Sequence, residues 1–266
     1  MTDIFARKMR LHHRHYGNGK ALIILHGLFG LSDNWVSFAK RIAELGYEVS
    51  IPDQRNHGRS MHSETFNYLA LTDDLMEFID EHNIEDPILL GHSMGGKVAM
   101  RFALENPEII KKLIVVDISL RKYPPRQQHK KIIQAMRAVD FQKASTLNDV
   151  EEQLKPLISE KRIRQFIMKN LYYRDNRNML DWRINFEGIC RNIDEMFDGI
   201  DVGEVFNNPS CFIRGGLSDY VNTEDLKEIK NNFPQAEIHT IPEASHWVHA
   251  EKPQEFFEIT KAFLLV

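Results

Sequence analysis

The stretch Leu89-Leu90-Gly91-His92-Ser93-Met94-Gly95-Gly96 constrains the fold more than any other part of the chain. Pro87-Ile88-Leu89-Leu90 is a short apolar run suited to a buried strand. Lys97 to Asn106 has helical spacing, with Val98, Ala99, Phe102 and Ala103 on one side. Between them, Gly91-x-Ser93-x-Gly95 has the pattern of a nucleophile elbow. The serine must stand at the tip of a tight, strained turn with its oxygen exposed. Side chains two residues to either side would collide as strand and helix close together. The helix start also offers free N–H groups and the positive end of its dipole to a developing oxyanion. Taken alone, the pentapeptide is a moderate signal, with a glycine-rich turn and an incidental serine as the lesser alternative, so the rest of the chain decides.

A chain of 266 residues suits one large α/β domain, or one domain with an insertion. A hydrophobic fraction of 42% allows an ordinary globular core. The formal charge of −4 argues against a dedicated nucleic-acid binder. No apolar run approaches the roughly 18 residues that span a bilayer, and Met1 to Lys8 lacks the apolar core of a signal peptide. Cys190 and Cys211 read as buried free thiols of a reducing compartment, which makes the expected location cytoplasmic.

The flanking elements alternate. Residues 4–16 carry His12, His13 and His15 without a carboxylate or cysteine to complete a metal site, so they read as a solvated edge strand or hairpin, and no metal is implied. Ala21 to Leu25 is a strand buried on both faces, running into His26-Gly27-Leu28-Phe29-Gly30. A loop of this type after an early strand can supply an oxyanion donor: Leu28 N–H first, Phe29 N–H next, with Met94 N–H as partner. Tyr47 to Pro52 is a strand ending in the polar turn Asp53 to Ser60. That turn reads as a brace around the site, with a direct role for His57 as the sharper alternative. Lys112 to Asp117 is a buried strand whose last residue is acidic, and Cys211 to Arg214 is a strand whose following loop holds Asp219. Ala236 to Ile241 is the last strand, and His246 and His249 follow it. Strand alternating with helix implies a mostly parallel, doubly wound α/β sheet.

From Ser119 the rhythm changes. Residues 119–206 show helical stripes and no convincing strand, and they read as a helical cap inserted between strands 6 and 7. The expected division is therefore a core of residues 1–118 and 207–266, with a cap of residues 119–206. Met136, Phe166, Met168, Leu171, Tyr172, Trp182 and Phe186 are candidate pocket residues within the cap, with core packing as the equal alternative. His92 and Trp247, beside Ser93 and His246, are pocket candidates on the core side. The basic residues of the cap read as a solvated face, with recognition of an acidic or phosphate-bearing acyl carrier as the alternative.

Serine on an elbow, aspartate after a later strand, then histidine after the last strand is an order that supports nucleophilic catalysis. A neutral histidine makes the serine nucleophilic, and the aspartate fixes its tautomer. On His26-Gly-Leu-Phe-Gly30, Asp53-Gln-Arg-Asn-His-Gly58, Gly91-His-Ser-Met-Gly-Gly-Lys97, Val116-Asp117-Ile118 and His246-Trp-Val-His-Ala-Glu-Lys-Pro253, the chain resembles the α/β-hydrolase superfamily, and within it the bacterial YbfF-type esterases. The resemblance implies an α/β-hydrolase fold, ester or acyl thioester hydrolysis without a cofactor, and Ser93 and His246 as catalytic residues. It leaves two acids. The superfamily's usual slot gives Asp219, whereas the YbfF type gives Asp117, towards which the resemblance leans. His249 is a competing base. Lys97 belongs to the family's GGK pattern without a physical reason legible in sequence.

The expected function is a serine hydrolase of short- or medium-chain carboxylic esters, extending to acyl-CoA thioesters. The alternatives are a carbon–carbon bond hydrolase with the same triad, and a non-catalytic ligand-binding protein of this fold. A small-molecule substrate is expected as partner, rather than nucleic acid or membrane. A serine at position 93 weakens dehalogenase and epoxide hydrolase readings, whose nucleophile is a carboxylate.

Overall fold

In the computed structural model, which describes residues 9–174, 179–200 and 203–266, the chain begins with β1 (His13–Tyr16), β2 (Lys20–Leu25), α1 (Val36–Ala43) and β3 (Tyr47–Pro52). It continues through α2 (Tyr68–Glu81), β4 (Ile88–His92), α3 (Met94–Glu105) and β5 (Lys112–Val116). A mostly helical stretch follows: α4 (Gln127–Ala138), α5 (Leu147–Leu154), α6 (Lys161–Met168), a hairpin of β6 (Leu171–Arg174) and β7 (Met179–Trp182), and α7 (Phe186–Arg191). The chain returns through β8 (Ser210–Gly215), α8 (Thr223–Asn232), β9 (Ala236–Ile241), α9 (Val248–Glu251) and α10 (Pro253–Leu265). Residues 1–8, where the signal-peptide reading fell, lie outside the described residues.

Among the described residues, seven strands form one sheet in the order β1-β3-β2-β4-β5-β8-β9. Only β1 is antiparallel to its neighbour, as an edge strand on β3. Period-two alternation sorts the core onto two faces. Ile23, Leu25, Leu89, Leu113, Val115 and Phe212 pack with residues of α2 and α3. Leu22, Ile24, Leu90, Ile114, Val116 and Ile213 pack with Trp35, Ala39 and Ile42 near and on α1 and with Phe256 and Phe263 of α10. A sheet with both faces covered is what unbroken apolar strands require.

The winding reverses at β2, which pairs with β3 on one side and β4 on the other. Crevices beyond the carboxyl ends of strands at such a switch point are where this architecture binds ligands. The register sets Leu25 beside Gly91, so the loop after β2 emerges next to the elbow after β4.

The stretch between β5 and β8 departs from the all-helical expectation. Leu171↔Trp182 to Arg174↔Met179 is an antiparallel pair. Its strands have four residues each and are partly exposed, so they carry no run of alternating apolar residues that sequence could reveal. Counted among the described residues, this stretch lies between the fifth and sixth strands of the sheet, not between the sixth and seventh.

Candidate active site

Ser93 caps α3 with φ 53° and ψ −119°, a left-handed backbone that is costly for any residue but glycine. Its amide donates to Val116 O at 3.1 Å, and its carbonyl accepts the Lys97 amide at 3.0 Å. A Cβ on Gly91 would collide with the Gly95 carbonyl, and one on Gly95 with the Leu25 carbonyl. Both flanking glycines are thus required by close backbone approach.

His246 lies in the turn between β9 and α9. Ser93 Oγ donates to its Nε2 at 3.0 Å, and its Nδ1–H donates to Asp117 Oδ2 at 2.8 Å. Asp117, at the end of β5, is buried and also left-handed, with φ 51°. It accepts two more hydrogen bonds, from the Gly215 amide at 2.9 Å and from the Ser218 hydroxyl. Burial pushes its carboxyl up, to about 6, against these hydrogen bonds, which hold it down. Burial also drives His246 down, to about 3, helped by the positive charge of Arg126. At neutral pH the imidazole is therefore neutral and able to accept a proton.

Asp219 is elsewhere. Its side chain is 83% exposed and pairs with Arg126. The structure brings Asp117, not Asp219, to His246. Asp219 acts at one remove: the Arg126 guanidinium that it holds lies 3.6 Å from the centre of the Tyr220 ring, and that ring stacks on the His246 imidazole at 3.7 Å. Ser218, Tyr220 and Arg126 were missed in the sequence. The only signal for the first two is that their loop follows the strand paired with β5, which needs the sheet order to see.

Two loops are laced together in front of Ser93. His57 Nε2 accepts the Phe29 amide at 3.1 Å while its Nδ1–H donates to Arg55 O at 3.0 Å. The Phe29 amide is thereby occupied, which corrects its candidacy as an oxyanion donor. The Leu28 and Met94 amides have no protein acceptor among the described residues. Burial pushes His57 down to about 3, so it stays a neutral brace. His26 Nε2 accepts the Gln54 amide at 3.0 Å, and Gln54 Nε2 donates back to His26 O at 2.6 Å. The stretch between β5 and β8 adds its own ties. Asn170 Nδ2 donates to Phe29 O at 2.8 Å, and the Asn185 amide to Asn56 O at 2.8 Å.

Lys97 gains its physical reason here. Fully buried, its ammonium donates to Arg121 O at 2.8 Å and to Asp198 O. Those carbonyls lie near the two ends of the stretch between β5 and β8, so one side chain of the elbow helix grips both. Burial lowers its pKa to about 7.

A cavity of about 210 Å³ opens at Ser93 and His246. His92, Phe166 and Trp247 line it, as does Ile132. His92 also fixes the turn that carries His246, its Nε2–H donating to His246 O at 2.9 Å. Trp182 and Phe186 do not line it. Trp182 packs edge-on against Phe141 and donates its Nε1–H to Met136 O at 3.2 Å, and Phe186 lies beneath Arg137. Helix-face apolarity cannot separate packing from pocket, because both bury the same side chains. His249 lines the cavity, stacked on Trp35 at 4.1 Å, and has no hydrogen bond to Ser93.

Comparison with known proteins agrees with this fold. Residues 20–150 match the family model described as the alpha/beta hydrolase fold. The chain is 37% identical over 253 residues to the sn-1-specific diacylglycerol lipase of Danio rerio, covering 93% of this chain and 79% of that one. It is 31% identical over 247 residues to the esterase YbfF of Escherichia coli, covering 93% and 94% of the two chains. A solved marine microorganism esterase superposes with a TM-score of 0.91 at 40% identity, covering 96% of this chain and 99% of that one. With matches of this length and identity, the chain belongs to the α/β-hydrolase fold family.

Proposed function

We propose that this protein is a serine hydrolase of carboxylic esters that works through an acyl-enzyme. One observation carries the reading: a neutral imidazole at 3.0 Å from the hydroxyl of a strained elbow serine, with a buried carboxylate at 2.8 Å behind it. Relatives named as esterase and lipase support the same reaction class.

Ser93 Oγ attacks the ester carbonyl as its proton passes to His246 Nε2. Asp117 keeps the imidazole in the Nδ1–H tautomer and stabilises the imidazolium that forms. The Leu28 and Met94 amides hold the oxyanion, each such donor contributing about 3–4 kcal/mol in the transition state. His246 then protonates the departing alkoxide oxygen. Water attacks the acyl-enzyme by the same steps, releasing the acid and restoring Ser93. No cofactor enters the scheme.

The cavity volume of about 210 Å³ suits short or medium acyl chains, and thioesters of such chains react by the same steps. Residues 119–206 act as a cap on the core of residues 1–118 and 207–266, with Ile132 and Phe166 roofing the cavity and Lys97, Asn170 and Asn185 tying cap to core. No helix among the described residues is long and apolar enough to cross a membrane. Two free cysteines support a cytoplasmic location.

A panel of p-nitrophenyl esters of increasing acyl length, run beside acyl-CoAs, tests the reading. Short and medium esters are expected to be cleaved by the natural protein, with Ser93→Ala slower by roughly 10⁴-fold or more. Equal rates for the two proteins would refute it.

A further inference from the structure

Helix α6 turns one face to the cavity. Arg162, Gln165 and Phe166 of α6, and Lys169 just past its end, stand at i, i+3, i+4 and i+7, and all four line it. Two of the four are cations. Among the described residues no Asp or Glu lines the cavity, in a chain whose net charge is −4. Arg162 meets Glu251 at 3.4 Å, but that carboxylate already accepts the Ser245 amide at 2.6 Å and the Ser245 hydroxyl at 2.5 Å. Lys169 has no acidic partner among the described residues and is exposed at the rim. Its charge is felt inside, because it helps hold His249 in the neutral form. Nδ1 of His129 and Nδ1 of His249 are buried on the cavity wall without a hydrogen-bond partner.

An apolar floor, a lining without a carboxylate and the unpaired charge of Lys169 at the rim do not match a wholly neutral ester. A neutral substrate would leave Lys169 without a counter-charge. We propose that the substrate carries an anionic group, a carboxylate or a phosphate, held at the rim by Lys169 with Arg162 while the ester carbonyl lies at Ser93. The inference rests on the serine hydrolase reading and adds the charge class of the substrate. Arg162 and Lys169 are specificity-determining residues in this scheme, steering the anion inward and holding it by charge-assisted hydrogen bonds.

Two matched pairs of esters test it on the full chain. p-Nitrophenyl hemiglutarate against p-nitrophenyl pentanoate puts the charge on the acyl side. Monobutyryl glycerol phosphate against monobutyryl glycerol puts it on the alcohol side. In at least one pair the anionic member is expected to have a kcat/KM roughly tenfold higher at low salt, where steering is strong. The preference should collapse near about 1 M salt, where the Debye length falls to about 3 Å. Lys169→Glu should lower the anionic-to-neutral ratio by roughly tenfold and Arg162→Gln by a few-fold, mainly through KM, while Lys169→Arg retains it. The pair that shows the preference identifies the source, carboxylate or phosphate. Neutral esters cleaved as fast as anionic ones in both pairs, or a preference that survives Lys169→Glu and Arg162→Gln, overturns this proposal alone. Failure to cleave any of the four esters overturns the hydrolase reading, and this one with it.

Discussion

Two aspartates follow neighbouring strands of the sheet, and their surroundings separate them. Asp117 is buried in a left-handed backbone with three donors on its carboxylate. Asp219 is largely in solvent, where an ion pair contributes at most about 1 kcal/mol. Asp117→Asn is therefore expected to lower kcat by about 10⁴-fold through the wrong imidazole tautomer. Asp219→Asn should stay within about tenfold of the natural rate, as loss of a surface pair implies. Sequence could not make this distinction. Both residues follow strands, and the donors that mark Asp117 come from a strand and loop about a hundred positions further on. The same two groups set the pH dependence. The proposed mechanism needs Asp117 ionised and His246 neutral, so kcat/KM should fall as pH drops through about 6, where Asp117 takes up its proton. Arg126 also helps to hold the Asp117 carboxyl down. Arg126→Gln is expected to move the acidic limb of the pH–rate profile to higher pH. An unmoved or lowered limb would show that this charge does not reach the Asp117 carboxylate.

At the scale of elements, helix α3 does two jobs: its first turn presents Ser93 and its second carries Lys97. Burial lowers the Lys97 pKa from 10.5 in the exposed side chain to about 7. Between those values the unfolded chain binds the extra proton, so folding stability should rise with pH from about 7 to about 10. Urea unfolding of the natural protein should show this rise relative to Lys97→Met, and parallel pH curves for the two would contradict it. The loop after β3 is braced from α2 by a pair of 2.6 Å hydrogen bonds between Arg55 and Asp74. Both side chains are buried, so Asp74→Ala leaves a stranded guanidinium and should destabilise by about 3–5 kcal/mol. The elbow, the apolar strands and the helix stripes were legible because each is a local pattern. The β6–β7 hairpin was not, because its strands are short and half exposed. Nor was the split of α6 into a packed face, with Ile163 and Ile167 buried, and a cavity face. Both faces combine apolar and basic residues, and only the neighbours assign them.

For the whole molecule, the reversal of winding at β2 is what assembles the site. It sets the loop after β2, the elbow after β4 and the turn after β9 at one end of the sheet, within reach of a single substrate. That convergence was legible as an order of residues along the chain, Ser93 between the donor loop and His246. The roof was legible only as a change of rhythm after Ser119, since which residues line a cavity depends on how the helices lie over the sheet. The most direct test of the catalytic arrangement is intact-protein mass spectrometry after a rapid quench with a slowly turned-over p-nitrophenyl ester. The expected result is a mass increase of one acyl group, mapped to the peptide containing Ser93 and absent in Ser93→Ala. Turnover with no adduct, or an acyl group mapped to any other residue, would contradict it.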